Sequence, residues 1–109
     1  MVTIATVPIS ATPRMQVDPY VLDTLMPDLV RHDRAPSAFL VYLQLYRRTH
    51  ASETQSVSLA LLDIAESTGL SKRTVQNALA HLVYRRLIAV TRASPTSIPQ
   101  YMALRPWRR

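Results

Sequence analysis

The chain has 109 residues, is 48% hydrophobic, carries a formal net charge of +6 and contains no cysteine. That length suits one domain and that apolar content can build a core, which argues against disorder; the lack of cysteine excludes a disulfide framework and thiolate metal ligands. The longest apolar run, Ala38 to Leu43, falls far short of the roughly 20 residues a membrane span requires, and Met1 to Pro8 lacks the features of a signal peptide, so a soluble cytoplasmic protein without a membrane partner is expected.

Residues 1–17 mix β-branched and small polar residues with Pro8 and Pro13 and read as an extended arm, with a short strand at Val2 to Val7. The arm is expected to pack on the domain or on a second subunit. Asp18-Pro19 is a helix start, Asp18 as N-cap and Pro19 at the first position. A short helix over Tyr20 to Met26 follows, then a second turn from Pro27 through Val30 and a polar connection, Arg31 to Arg34. Pro36 opens a helix to about Thr49. Phe39, Tyr42, Leu43 and Tyr46 share one face at i, i+3, i+4 and i+7, and Leu40, Val41 and Leu45 extend the apolar girth, which places this helix centrally or in an interface.

His50 to Gln55 is a loop, and Val57 is a candidate short strand. Ser58 is expected to cap a helix over Leu59 to Thr68, ended by Gly69, the chain's single glycine. Ser71 then caps a helix over Lys72 to Arg85 with Val75, Ala78, Leu79 and Leu82 inward. Leu87 to Arg92 and Gln100 to Leu104 are strand candidates joined by a Ser/Pro/Thr turn, a β-hairpin. The expected architecture is mainly α with this small β-hairpin: residues 18–109 as one domain, with a three-helix core and wing over about 36–104 and an N-terminal helical extension.

Charge is unevenly placed. All seven acids lie in the first 66 residues, against five bases; residues 67–109 hold eight bases and no acid. All bases but Lys72 are arginine, so the positions of the charges carry more information than the choice of arginine over lysine. A basic segment of this kind attracts polyanions. Within it, Ala65, Gly69, Leu70 and Val75 have the spacing of a helix-turn-helix: a small residue for close helix packing, a turn glycine, an apolar corner plug and an aliphatic anchor. Such a pair presents the start of its second helix to the DNA major groove. The residues there are Ser71, Lys72, Arg73, Thr74, Gln76 and Asn77, the candidates for base readout. Arg and Lys match guanine O6/N7, and Gln and Asn match adenine N6/N7. Lys72 and Arg73 oppose the helix dipole, which a purely structural helix start would avoid.

The run Gly69-Leu70-Ser71-Lys72-Arg73-Thr74-Val75-Gln76-Asn77-Ala78-Leu79, with Leu87-Ile88-Ala89-Val90 and Pro36-Ser37-Ala38, resembles the winged helix-turn-helix domains of bacterial, plasmid and phage regulators and replication initiators. The resemblance covers about Pro36 to Leu104 and implies a DNA-binding domain with the helix after Ser71 as reader. The chain departs from the family pattern at Arg86, where a glycine is usual and a non-glycine costs about 1 kcal/mol if φ is positive. It also departs at Thr68, Ala35, Val83 and Tyr84, the last two favouring an apolar partner contact.

Arg85, Arg86 and Arg92 are the candidates for DNA backbone contact; for Arg85 and Arg86 a simple role at the helix C-terminus competes. Trp107 is expected to fold back on the core. His32, His50 and His81 lack metal-ligand spacing, and no catalytic constellation, metal site or cofactor site is seen, so the chain reads as a non-enzyme. The expected function is sequence-selective binding of double-stranded DNA by a homodimeric transcriptional regulator, or by a replication or plasmid-control protein. Neutralising about six phosphates would give a log–log salt slope near −5. The interface candidates are the N-terminal helix, the first core helix and Tyr84. The alternative is a winged helix serving as a protein–protein scaffold or assembly module.

Overall fold

A computed structural model describes residues 14–50 and 56–108; the expected strand at Val2 to Val7 and most of the arm lie outside them. The chain is helical from Pro19 to His32, with wide π turns at Val21–Leu25 and Asp28–His32. Met26 N–H donates to the Val21 carbonyl and Asp33 N–H to the Asp28 carbonyl. Pro27 has no N–H to give and sits between these turns, so the two expected short helices are one segment. Val21, Leu25 and Leu29, spaced by four, all point into the core.

α1 (Pro36–His50) is the central element and packs against the N-terminal segment, α2 (Leu61–Thr68), α3 (Lys72–Tyr84) and the sheet. Its wide apolar girth is used internally: Ala38, Phe39, Val41, Tyr42, Leu45 and Tyr46 are buried, and Leu40 is its exposed large apolar residue. Tyr42 Oη donates to the Leu104 carbonyl at 2.7 Å, and burial raises the Tyr42 pKa. The buried Thr49 hydroxyl donates to the Leu45 carbonyl and accepts from Ala103 N–H. These bonds pin the strand end to the central helix.

The expected hairpin forms and gains a third strand. β1 (Val57–Ser58), β2 (Ile88–Thr91) and β3 (Gln100–Ala103) make an antiparallel sheet in the order β1-β3-β2. Val57 pairs with Tyr101, Ile88 with Ala103, and Val90 with Tyr101. Alternation along the strands puts Ile88, Tyr101 and Ala103 into the core.

α2 starts later than expected. Ala60, not Ser58, precedes it in extended conformation. Ala60 has no side-chain acceptor, so the cap is one-sided: the Asp63 carboxylate accepts from Ala60 N–H at 3.1 Å. At the other end Gly69 has φ 76° and donates its N–H to the Ala65 carbonyl at 2.9 Å. A Cβ at Gly69 would meet nothing within 4 Å, so glycine serves the left-handed conformation rather than close packing. Thr68 is useful in place of an aliphatic residue: its hydroxyl donates to the Ile64 carbonyl and accepts from Leu70 N–H, bridging the turn.

α3 opens with the expected cap, Ser71 Oγ accepting from Thr74 N–H at 3.1 Å. Its inward stripe is Val75, Ala78 and Leu82, with Leu79 partly buried. It closes through Arg86, at φ 59°. Arg86 N–H reaches the Val83 carbonyl and Leu87 N–H the Leu82 carbonyl, the paired bonds of a Schellman ending. The left-handed residue there is normally glycine, so arginine at this position is strained.

Candidate nucleic-acid interface

The face of α3 turned away from the core is continuous. Ser71, Lys72, Arg73, Gln76 and Asn77 are exposed at its start, Thr74 is half-buried, and Ala80, Val83 and Tyr84 continue the exposed face toward the C-terminus. Five of the six readout candidates thus project to solvent from one rigid element. Among the described residues neither Lys72 nor Arg73 pairs with a carboxylate. Ser71 differs from the rest because its hydroxyl is committed to the cap: it accepts from Thr74 N–H and donates to Thr74 Oγ1 at 2.9 Å.

Two grooves flank this helix. On one side Thr74, Asn77 and His81 face Arg34 and Ser37 at the start of α1, around a space of about 330 Å³. On the other side Gln76 and Leu79 face Arg92, Ser97 and Ile98 of the wing, around about 380 Å³. Arg92 is exposed and donates to the Ser97 carbonyl at 3.3 Å, which orients it across the wing turn. The wing tip itself carries no basic side chain.

The three backbone candidates separate here. Arg86 and Arg92 are exposed. Arg85 is partly buried, and its guanidinium is engaged: Nη1 donates to both oxygens of Asp33 at 2.9 Å and Nη2 donates to Asp28. These bonds, Asp28 first, raise the Arg85 pKa. A guanidinium held by two carboxylates has little capacity left for a phosphate.

Asp33 is the hub of this cluster, with a side chain only 5% exposed. His81 Nε2 lies 2.7 Å from one of its oxygens and His32 Nδ1 2.9 Å from the other. Burial works to raise the Asp33 pKa, but the bonds to His32 and His81 and the charge of Arg85 outweigh it, and the net shift is downward. No local pattern signals that residues 48 and 52 positions away along the chain share this one carboxylate. Ligand atoms of Asp28, His32 and Asp33 lie within 4.8 Å of one another, but Arg85 bonds to both carboxylates, so their charge is already answered by a cation of the protein.

The C-terminal segment folds back as expected. Trp107 stacks on Tyr20 at 4.7 Å, lies edge-on to Tyr42 and donates its Nε1–H to Asp18 at 2.9 Å. Asp18 also binds Arg108. These bonds, that of Arg108 first, hold the Asp18 carboxyl at about 2. The Asp18 side chain therefore anchors the tail instead of capping the helix; only its carbonyl serves the helix start, accepting from Val21 N–H.

A three-helix core, with α3 capped by Ser71, and an antiparallel wing defines a winged helix-turn-helix. In agreement, the family model described as Helix-turn-helix domain matches residues 35–88. The match runs from the start of α1 into β2 and includes both helices of the motif, and it supports a helix-turn-helix DNA-binding domain over that stretch. No curated protein and no solved structure matches the chain. Among the described residues no helix is long and apolar enough to cross a membrane.

Proposed function

We propose that this protein binds double-stranded DNA sequence-selectively, as a transcriptional regulator or a replication or plasmid-control factor, with α3 in the major groove. The observation that carries the reading is the exposed start of α3, where Lys72 and Arg73 stand beside Gln76 and Asn77 with no carboxylate partner among the described residues. Lys72 and Arg73 suit guanine edges and Gln76 and Asn77 adenine edges; Thr74 would add a contact. Ser71, its hydroxyl engaged in the cap, orders the helix start. Arg86 and Arg92 dock on phosphates. With Arg85 committed internally, about five phosphates remain, for a salt slope near −4.5.

A homodimer fits this reading, because one short helix reads few base pairs and paired half-sites extend the site. Of the interface candidates, Tyr84 has the clearest support, with 81% exposure at the end of the reader helix; the face of α1 is largely consumed by the protein's own core. The test is selection from a random duplex pool followed by fluorescence anisotropy at two salt concentrations. Retention of a shared sequence, with binding that weakens as salt rises, is expected. Salt-insensitive or absent binding would refute the reading and favour a scaffold role.

A further inference from the structure

The reader helix has a groove on each side, and each groove carries one exposed arginine. Arg92 stands in the wing groove with Gln76. Arg34 stands in the other groove, with Ser37 of α1 and with Thr74 and Asn77 of α3 itself. Arg34 is exposed, and among the described residues it pairs with no carboxylate, although Asp33 is its chain neighbour. That neighbour is occupied: its oxygens are taken by Arg85, His81 and His32. Arg34 is thus a cation left over from the cluster, lining a groove that it shares with His81. It is also held at φ 54°, a conformation in which glycine would be less strained.

A helix lying in the major groove, about 12 Å wide, has a sugar-phosphate backbone on either side of it. The two side grooves of α3 are where those backbones would run. We propose that Arg34, with the Ser37 hydroxyl beside it, is a DNA-phosphate contact on the flank of α3 opposite Arg92, so that the two arginines grip the backbone from both sides of the reader helix. The inference rests on the reading of α3 as the groove-binding helix. It supplies on the α1 side the contact that Arg85, committed to Asp28 and Asp33, does not provide.

The test uses the full chain and a fluorescein-labelled mixed-sequence 20-base-pair duplex, whose binding reports phosphate contacts directly. Arg34→Ala, Arg34→Gly, Arg92→Ala, the Arg34→Ala/Arg92→Ala double variant and Lys72→Ala/Arg73→Ala are titrated across a salt series. Arg31→Ala serves as control, being exposed on the N-terminal segment and away from the groove. Removing one phosphate contact should flatten the log–log slope by about 0.9 and weaken binding about eightfold at 0.1 M salt. Arg34→Ala and Arg92→Ala should each show this, and the double variant should show the sum, with Arg31→Ala unchanged. Arg34→Gly should bind as weakly as Arg34→Ala while melting no lower than the parent chain, so weaker binding cannot be ascribed to poorer folding. An unchanged slope for Arg34→Ala, with Lys72→Ala/Arg73→Ala weakening binding to a duplex selected from a random pool, overturns this inference and leaves the reading of α3 standing. Unchanged binding of that selected duplex by Lys72→Ala/Arg73→Ala overturns both.

Discussion

Asp33→Ala should damage the fold without touching the exposed face at the start of α3. In the native protein the Asp33 side chain is 5% exposed and Arg85 27% exposed, and two histidine nitrogens share the carboxylate. Breaking a fully buried pair costs about 3–5 kcal/mol, whereas an exposed pair is worth about 0–1 kcal/mol. Arg85 is partly open to water and keeps Asp28 as a partner, so the cost falls between these limits, at about 2–3 kcal/mol. For a domain of this size that corresponds to a Tm lower by roughly 10–20 °C. The assay is urea unfolding followed by circular dichroism and by Trp107 fluorescence, for Asp33→Ala, Arg85→Met and the double variant. The destabilisation of the double variant should be smaller than the sum of the singles by about 1–2 kcal/mol, because the second substitution removes a charge already stranded by the first. Additive effects within about 0.5 kcal/mol would mean that the cluster does not couple the N-terminal segment to α3, and the reasoning fails.

Arg86→Gly should raise stability by about 0.5–1 kcal/mol through relief of the left-handed strain, seen as a higher urea midpoint, while weakening duplex binding. Lys72→Ala/Arg73→Ala should leave the melting temperature nearly unchanged and reduce affinity for a selected duplex by about 1–3 kcal/mol for each guanine that is no longer read. Acid should destabilise the fold in a defined window. Asp18 and Asp33 both have folded pKa values below the ordinary carboxylate value, so the stability they contribute is present above an unfolded value of about 3.9 and is lost as pH falls toward 2. Thermal melts at steps of pH should decline between about 4 and 2, and Asp18→Asn/Asp33→Asn should flatten that decline.

Those features of the fold that rest on local chemistry are legible in the sequence. Gly69 marks the turn because left-handed backbone selects glycine, Ser71 marks the start of α3 because a hydroxyl can answer an unpaired N–H, and the strain at Arg86 is visible as a missing glycine. The start of α2 is not legible, because Ser58, a good capping residue, lies in β1, where strand pairing with Gln100 claims its backbone. The carboxylate of Asp63 does the capping instead. Asp18 misleads in the same way: a residue suited to a local cap is claimed by distant partners, Trp107 and Arg108. The candidate site divides likewise. The exposed start of α3 follows from its period of 3.6, but the commitment of Arg85 depends on carboxylates that only the tertiary fold brings near. Nothing local distinguishes Arg34 from the polar connection around it; its relation to Thr74 and Asn77 exists only once α1 and α3 are packed.

The uneven charge along the chain has a physical consequence in the folded protein. Of the described acids, Asp18, Asp28, Asp33 and Asp63 are bonded to cations or backbone N–H groups of the protein itself. The charges of Asp18, Asp28 and Asp33 hold the N-terminal segment, the C-terminal tail and the end of α3 together, while Asp63 caps α2. The cations they engage are Arg85 and Arg108, which stand at the end of α3 and on the tail; Lys72 and Arg73, at the opposite end of α3, pair with no carboxylate among the described residues. Because a surface ion pair is worth little in water while phosphate neutralisation also releases condensed counterions, an arginine without an acidic partner costs the free protein little and contributes to binding a polyanion. Introducing an acid beside the reader, as in Gln76→Glu, should therefore barely move the melting temperature. It should weaken duplex binding at low salt far more than at high salt, where screening shortens its reach. Equal weakening at both salts would place the effect in a missing base contact at residue 76 rather than in the field around Lys72 and Arg73, and anisotropy titrations of the single variant separate the two.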